Sequence, residues 1–300
     1  MQIPFRSGVA ALLGPPNAGK STLLNRLLGQ KIAIVTPRPQ TTRNRIMGLV
    51  QGANWQIMLL DTPGLHEAKE EMNRRMVRQA LEALKDADVA LFLVDAAEIL
   101  TNRDRLLKHL DLLDQAGRPC PVLLALNKSD LLSPDRLASL ADWCQTQYPF
   151  AACLPLSART GAGTDQVVAA VAALLPEGPK YYPDDMLTDV SERFLAAEIV
   201  RETVFLRTRD EVPYSVAVLI DLFDESVQPL RIVASILVER DSQKGILIGR
   251  GGQMLGEIRK QAGREITRVL DRPVRLELWV KVEKNWTGKK AMLKRLGLPD

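Results

Sequence analysis

A glycine-rich loop after the first apolar run of the chain constrains its fold more than any other feature. Residues 14–21 read Gly-Pro-Pro-Asn-Ala-Gly-Lys-Ser and match the phosphate-loop pattern of a glycine, four residues and then Gly-Lys-Ser. The loop separates the apolar run 9–13 from an amphipathic stretch, 20–28, so it predicts a strand, a turn and a helix whose amino end faces a phosphate. The residues expected to line this nucleotide site are Gly14, Pro15, Pro16, Asn17, Ala18, Gly19, Lys20, Ser21 and Thr22.

The first 175 residues alternate short apolar runs with amphipathic stretches. This alternation is typical of an α/β fold with a mainly parallel sheet and helices on both faces. Residues 45–50 predict an edge strand that is antiparallel to the next one. A stretch rich in proline and glycine, 176–187, predicts a linker. Beyond it, residues 188–300 predict a separate α+β domain of one helix, two strands, a glycine-rich turn, another helix and a strand.

A second motif, Asp61-Thr62-Pro63-Gly64, ends another predicted strand. We expect Asp61 to hold Mg²⁺, mostly through water, together with the hydroxyl of Ser21. The amide of Gly64 is expected to contact the γ-phosphate, and Lys20 is expected to reach the β- and γ-phosphates. The following residue, Leu65, cannot orient a water molecule by hydrogen bonding, so we expect slow intrinsic hydrolysis.

The third and fourth motifs predict which base is bound. The carboxylate of Asp130, in Asn127-Lys-Ser-Asp, can accept hydrogen bonds from both the imino and the amino group of guanine. Adenine offers no such pair of donors, so the motif predicts GTP and GDP rather than ATP. We expect Asn127 to brace the loop and the stem of Lys128 to stack on the base. Ser157 and Ala158 follow the last predicted strand, where their backbone suits the guanine oxygen.

In their order and spacing these motifs resemble the GTPase domain of the translation-factor class, and residues 36–43 resemble the first switch segment of the Era family. The resemblance implies that Thr42 binds Mg²⁺ and the γ-phosphate, with Thr41 as the alternative. It also implies that Asn17 helps to hold K⁺ beside the phosphates; otherwise Asn17 caps the loop. The implied catalytic residues are Asn17, Lys20, Thr42 and Gly64, acting by positioning and electrostatics.

Basic residues are concentrated in the last fifth of the chain. Residues 241–300 carry 14 Lys and Arg against 7 Asp and Glu, whereas residues 1–240 carry 26 against 29. This basic segment contains a Gly-x-x-Gly loop that resembles the RNA-binding loop of type II KH domains, where glycine lets a phosphate approach the backbone. The residues expected to bind RNA are Ile248, Gly249, Arg250, Gly251, Gly252, Lys281 and Lys284. For the basic residues after 280, a solvated helix face is the other interpretation.

The resemblance to the Era family spans nearly the whole chain and implies a GTP-hydrolysing switch that binds 16S rRNA near its 3′ end and assists assembly of the 30S subunit. It further implies a cytoplasmic protein with a peripheral fraction on the inner membrane and no obligate homo-oligomer. The alternative is a non-hydrolysing, GTP-dependent RNA or membrane adaptor. A tRNA-modifying relative would need a C-terminal cysteine, whereas the last cysteine here is Cys153. The three cysteines have no close pair, which favours free thiols.

Overall fold

A computed structural model of the chain describes residues 4–39, 41–65, 71–115, 117, 120–208 and 215–297. These residues form two compact units. The first comprises the described parts of 1–32, 42–69 and 76–189, and the second those of 33–41, 70–75 and 190–300. The segment 33–41, which holds most of the predicted switch, therefore belongs to the second unit. Sequence spacing had placed it in the first domain.

The first unit is built on a six-stranded sheet with the order β2-β3-β1-β4-β5-β6. Its neighbouring strands are parallel except β2 and β3, which are antiparallel, so the predicted edge strand is confirmed. The central strands β4 and β5 are almost wholly buried because helices cover both faces of the sheet. The strands are β1 (Arg6–Leu13), β2 (Ile46–Gly52), β3 (Trp55–Asp61), β4 (Val89–Asp95), β5 (Val122–Asn127) and β6 (Ala152–Pro155).

The helices of the first unit follow the predicted amphipathic stretches, with one addition. A short helix, α3, begins directly after β4, because the carboxylate of Asp95 accepts hydrogen bonds from the amides of Ala97 and Glu98 and so caps the helix. The helices are α1 (Lys20–Leu28), α2 (Glu71–Lys85), α3 (Ala96–Thr101), α4 (Arg103–Gln115), α5 (Pro134–Gln147) and α6 (Thr164–Leu174). The first turn of α2, residues 71–75, belongs to the second unit.

The proline-rich stretch 176–187, expected to be a linker, lies along the sheet of the first unit. The amide of Ser7 donates to the carbonyl of Pro176, and the amide of Leu49 donates to that of Leu187, at 3.1 and 2.8 Å. The buried side chain of Gln56 accepts from the amides of Tyr181 and Tyr182. The prolines thus follow the end of α6, but backbone hydrogen bonds fix the path of residues 176–187 along the sheet.

The second unit contains a three-stranded sheet with the order β7-β8-β9. Strands β7 and β8 are antiparallel, and β8 and β9 are parallel. Helices α7, α8 and α9 contribute to one apolar core with the strands, and α8 ends where the glycine-rich loop begins. The elements are α7 (Glu192–Arg207), β7 (Ala217–Asp224), β8 (Leu230–Val238), α8 (Asp241–Ile248), α9 (Gln253–Leu270), β9 (Val274–Val282) and α10 (Lys290–Arg295).

Candidate functional site

The phosphate loop connects β1 to α1 with a backbone that only a few residue types tolerate. Gly14, Asn17 and Gly19 have φ angles of 141°, 62° and 100°. A Cβ atom at Gly14 would lie 2.0 Å from the carbonyl oxygen of Leu93, so this position requires glycine. The ammonium group of Lys20 donates to the carbonyls of Gly14 and Pro15, both at 2.9 Å, and so lies inside the curled loop. Burial lowers the pKa of Lys20 to about 8, against the opposing attraction of Asp61.

Three oxygen-bearing side chains meet beside the phosphate loop. The hydroxyl of Ser21 donates to Oδ2 of Asp61 at 2.6 Å and lies 2.8 Å from the hydroxyl of Thr42. The hydroxyl of Thr41 instead pairs with Thr36 and with the carbonyl of Arg38. Of the two threonines considered from the sequence, the structure therefore brings Thr42 to this cluster.

The carboxylate of Asp61 is wholly buried, and its Oδ1 has no hydrogen-bond partner among the described residues. Burial raises the pKa of Asp61 to about 6, although Lys20 and the hydrogen bond from Ser21 act in the opposite direction. A buried anionic oxygen without a partner, next to two hydroxyl oxygens, suits a hard divalent cation such as Mg²⁺. The residues present therefore fit the metal ion that the motifs imply.

The chain after Asp61 runs back along the phosphate loop. The hydroxyl of Thr62 donates to the carbonyl of Leu12, and the amide of Leu65 donates to that of Gly14 at 3.0 Å. A Cβ atom at Gly64 would lie 2.8 Å from the nitrogen of Pro16, so glycine permits this close approach. The side chain of Leu65 is fully buried in the core. Leu65 therefore contributes to core packing, and its side chain cannot orient a water molecule by hydrogen bonding.

The base-recognition residues are linked by hydrogen bonds across long sequence separations. The side chain of Asn127 donates through Nδ2 to the carbonyl of Ala18 at 2.6 Å and accepts through Oδ1 from the backbone amide of Ala158 at 2.9 Å. It therefore joins two loops. One carboxylate oxygen of Asp130 accepts from the Ser157 hydroxyl at 2.5 Å and the other accepts from Arg159. These interactions, led by the Ser157 hydrogen bond, lower the pKa of Asp130.

Sequence reasoning missed two residues near the base-recognition motif. Asp95, at the end of β4, accepts from the ammonium of Lys128 at 2.6 Å, and Lys128 itself has a left-handed backbone, with φ of 60°. Arg159 pairs with Asp130. The only sequence signal for Asp95 is its place after a buried apolar run, at the edge where the other motifs lie.

The glycine-rich loop of the second unit connects α8 to α9. Gly249, Gly251 and Gly252 have φ angles of 71°, 58° and 79°, in the region that favours glycine. Nothing lies within 4 Å of a Cβ atom built at Gly251 or Gly252, and Arg250 is exposed. The loop thus presents its backbone and one cation to solvent at the start of an 18-residue helix.

Comparison with known proteins places this architecture in one family. A family model described as a 50S ribosome-binding GTPase matches residues 9–128, and a KH-domain model matches residues 211–287. GTPase Era of Geobacter metallireducens is 49% identical over 300 residues, covering 98% of each chain. The chain belongs to the Era GTPase family. Members are GTP-hydrolysing enzymes, so this chain is a GTPase with a C-terminal KH domain.

Two solved Era structures resemble the chain over almost its full length. A variant of Aquifex aeolicus Era bound to GDP and AlF₄⁻ has a TM-score of 0.92 and 39% identity. Era in complex with MgGDPNP and nucleotides 1506–1542 of 16S ribosomal RNA has a TM-score of 0.91 and 40% identity. Each comparison covers 99% of this chain and 100% of the other. The predicted fold class, a P-loop GTPase domain followed by a KH domain, is confirmed.

The two lysines predicted to bind RNA in this Era-family chain lie away from the helix-covered face of the KH sheet. Along β9, Leu276, Leu278 and Val280 are buried in the core beneath the helices, so Lys281 lies on the opposite face, 3.4 Å from Asp221. Lys284 is exposed beyond the end of β9. The helix that starts at the glycine loop, α9, also exposes four cations that sequence reasoning did not single out: Arg259, Lys260, Arg264 and Arg268, the last of which pairs with Glu265.

Three further observations concern metal-binding clusters, thiols and membrane spans. Within the described residues, no group of three or more His, Cys, Asp and Glu side chains could hold a metal ion. All three cysteines are free thiols. No helix in the described part of the chain is long and apolar enough to cross a membrane.

Proposed function

We propose that this GTPase is a Mg²⁺-dependent switch that binds 16S rRNA near its 3′ end through the KH domain and assists assembly of the 30S subunit. The support is the relative that was solved with MgGDPNP and 16S nucleotides, together with an exposed glycine loop in the basic fifth of this chain. The proposal includes a cytoplasmic location, a peripheral fraction on the inner membrane and no obligate homo-oligomer.

The observation that carries the proposed nucleotide chemistry is the cluster of Ser21, Thr42 and Asp61 beside the phosphate loop. Ser21 and Thr42 would bind Mg²⁺ through their hydroxyl groups, and Asp61 would hold it mostly through water. Bound Mg²⁺ neutralises charge on the phosphate oxygens. Lys20 would leave the loop carbonyls for the β- and γ-phosphates, and the amide of Gly64 would contact the γ-phosphate. Hydrolysis then depends on positioning and electrostatics.

The proposed base site uses residues whose geometry is already set. The Asn127 side chain bonds both the phosphate loop, at Ala18, and the loop of Ala158. These two hydrogen bonds would keep the residues around the base in place. On binding, the imino and amino groups of guanine would replace Ser157 and Arg159 as donors to Asp130. The amides around Ala158 would contact the guanine oxygen, and the stem of Lys128, held by Asp95, would cover one face of the base.

We propose that K⁺ binds beside the phosphates at Asn17 and accelerates hydrolysis. The left-handed backbone of Asn17 within the phosphate loop supports this. The residue after Gly64 supports it as well, because Leu65 is buried in the core and no glutamine stands there to orient water. Multiple-turnover phosphate release should be faster in K⁺ than in Na⁺ at equal ionic strength. In Asn17→Gly, which keeps the backbone conformation, the two rates should be equal. Equal rates in the native protein would contradict a K⁺ site.

The RNA-binding proposal is tested at Gly251, where an added side chain has room. Gly251→Asp places a carboxylate where a phosphate would approach, and Gly251→Asn provides a control of the same shape without charge. We expect Asp to weaken binding of a 16S 3′-end fragment at least tenfold more than Asn does, with GTP affinity unchanged. Affinity should also fall steeply with salt. Equal effects of Asp and Asn, or a flat salt profile, would contradict the proposed phosphate contact.

A further inference from the structure

The segment 33–41 of the second unit is tied to helix α7 at three points. The backbone amide of Val35 donates to Oε1 of Glu202 at 2.9 Å. The guanidinium of Arg38 donates to the carbonyl of Thr208, just after α7, at 2.7 Å. Near the end of the segment, Nη2 of Arg201 donates to the carbonyl of Thr41 at 2.6 Å. The helix that opens the KH unit therefore fixes the start, the middle and the end of this segment.

The guanidinium group of Arg201 is held in one orientation by its neighbours. Its side chain is buried, and Glu198, one turn earlier on α7, accepts from both Nε and Nη2. The cation also lies 5.3 Å from the centroid of the Phe205 ring. A buried guanidinium held by a carboxylate and an aromatic ring has little freedom to turn, so its donor stays directed at the Thr41 carbonyl.

We infer that Arg201 is a positioning residue for GTP binding, acting through Thr41 on Thr42. The two threonines share a peptide group, so the carbonyl that Arg201 holds is one bond from the amide nitrogen of Thr42. This fixes the hydroxyl of Thr42 near that of Ser21. The inference rests on the proposed role of Thr42 at Mg²⁺ and the γ-phosphate.

The test compares nucleotides that do and do not need Thr42. In the full-length protein, Arg201→Met should weaken a non-hydrolysable GTP analogue with Mg²⁺ on the order of tenfold, because a hydrogen bond from a charged donor is lost. Its affinity for GDP should change less than twofold, since GDP has no γ-phosphate. Arg207→Met is the matched control: Arg207 lies on the same helix but pairs with Glu257 and Gln261 on α9. It should leave both affinities unchanged.

A second variant protects the test against misfolding. Arg38→Met removes the middle tether from a half-buried side chain and should reproduce the GTP-selective loss at smaller size, with an unchanged melting temperature. Equal loss of GTP analogue and GDP in both variants, or no loss in either, would overturn the inference. Thr42→Ala separates this failure from that of the proposed function. If Thr42→Ala weakens only the GTP analogue while Arg201→Met and Arg38→Met do not, only the positioning role fails. If Thr42→Ala has no selective effect, the role of Thr42 itself fails.

Discussion

The buried carboxylate of Asp61 should make the metal-free protein less stable than its neutral counterpart. Burial raises the pKa of Asp61 from 3.8 to about 6, even with the attraction of Lys20 included. A tenfold change in proton affinity is worth about 1.4 kcal/mol, so the ionised form costs the fold about 3 kcal/mol. Asn resembles the neutral acid in shape, and Asp61→Asn should therefore raise the free energy of unfolding at pH 7 by up to about 3 kcal/mol.

The pH dependence gives this prediction its sign. Between pH 4 and 6 the folded protein binds the proton at Asp61 more tightly than the unfolded chain does, so stability from this group falls as pH rises. Above pH 6 the penalty is complete, and below pH 4 it vanishes, because the group is then protonated in both states. The gain from Asp61→Asn should consequently be largest at pH 7 and approach zero at pH 4.

Urea unfolding without metal or nucleotide, repeated at several pH values, measures the difference between variant and native protein. Asp135→Asn, at an exposed site on α5, should change the free energy of unfolding by less than about 0.5 kcal/mol and serves as the control. Adding Mg²⁺ with a GTP analogue should stabilise the native protein more than it stabilises the Asp61→Asn variant. A variant that is less stable than the native protein at pH 7, or a difference that does not depend on pH, would refute the reasoning.

Three further substitutions test other parts of the site. Asp130→Asn should lower GTP affinity at least a hundredfold and favour xanthosine triphosphate, because Asp130 supplies two charged acceptors; unchanged competition between these nucleotides would count against it. Asp95→Asn keeps the helix cap but loses the ion pair to Lys128, so GDP should dissociate a few-fold faster with the base preference intact. Gly14→Ala should abolish nucleotide binding, because its methyl group would meet the Leu93 carbonyl; normal GDP affinity there would contradict the close approach.

The sequence by itself determined the sheet, the guanine-nucleotide motifs and the presence of a KH domain. Each of these depends on short-range pattern. Apolar runs long enough for one strand, each followed by a motif such as 14–21 or 61–64, bring the motifs to one sheet edge because parallel strands share a direction. Gly14 shows the same principle, since the turn it makes cannot be built with another residue.

Only the tertiary structure decided which nearby groups meet. The switch pattern favours Thr42 but leaves Thr41 as an alternative; in the structure the hydroxyl of Thr42 lies near Ser21, whereas that of Thr41 pairs with Thr36. The stretch 176–187 has the composition of a linker but pairs with strand edges, and the segment 33–41 packs with a helix more than 150 residues later in the chain. Hydrogen bonds between distant residues set these choices, and no local pattern records them.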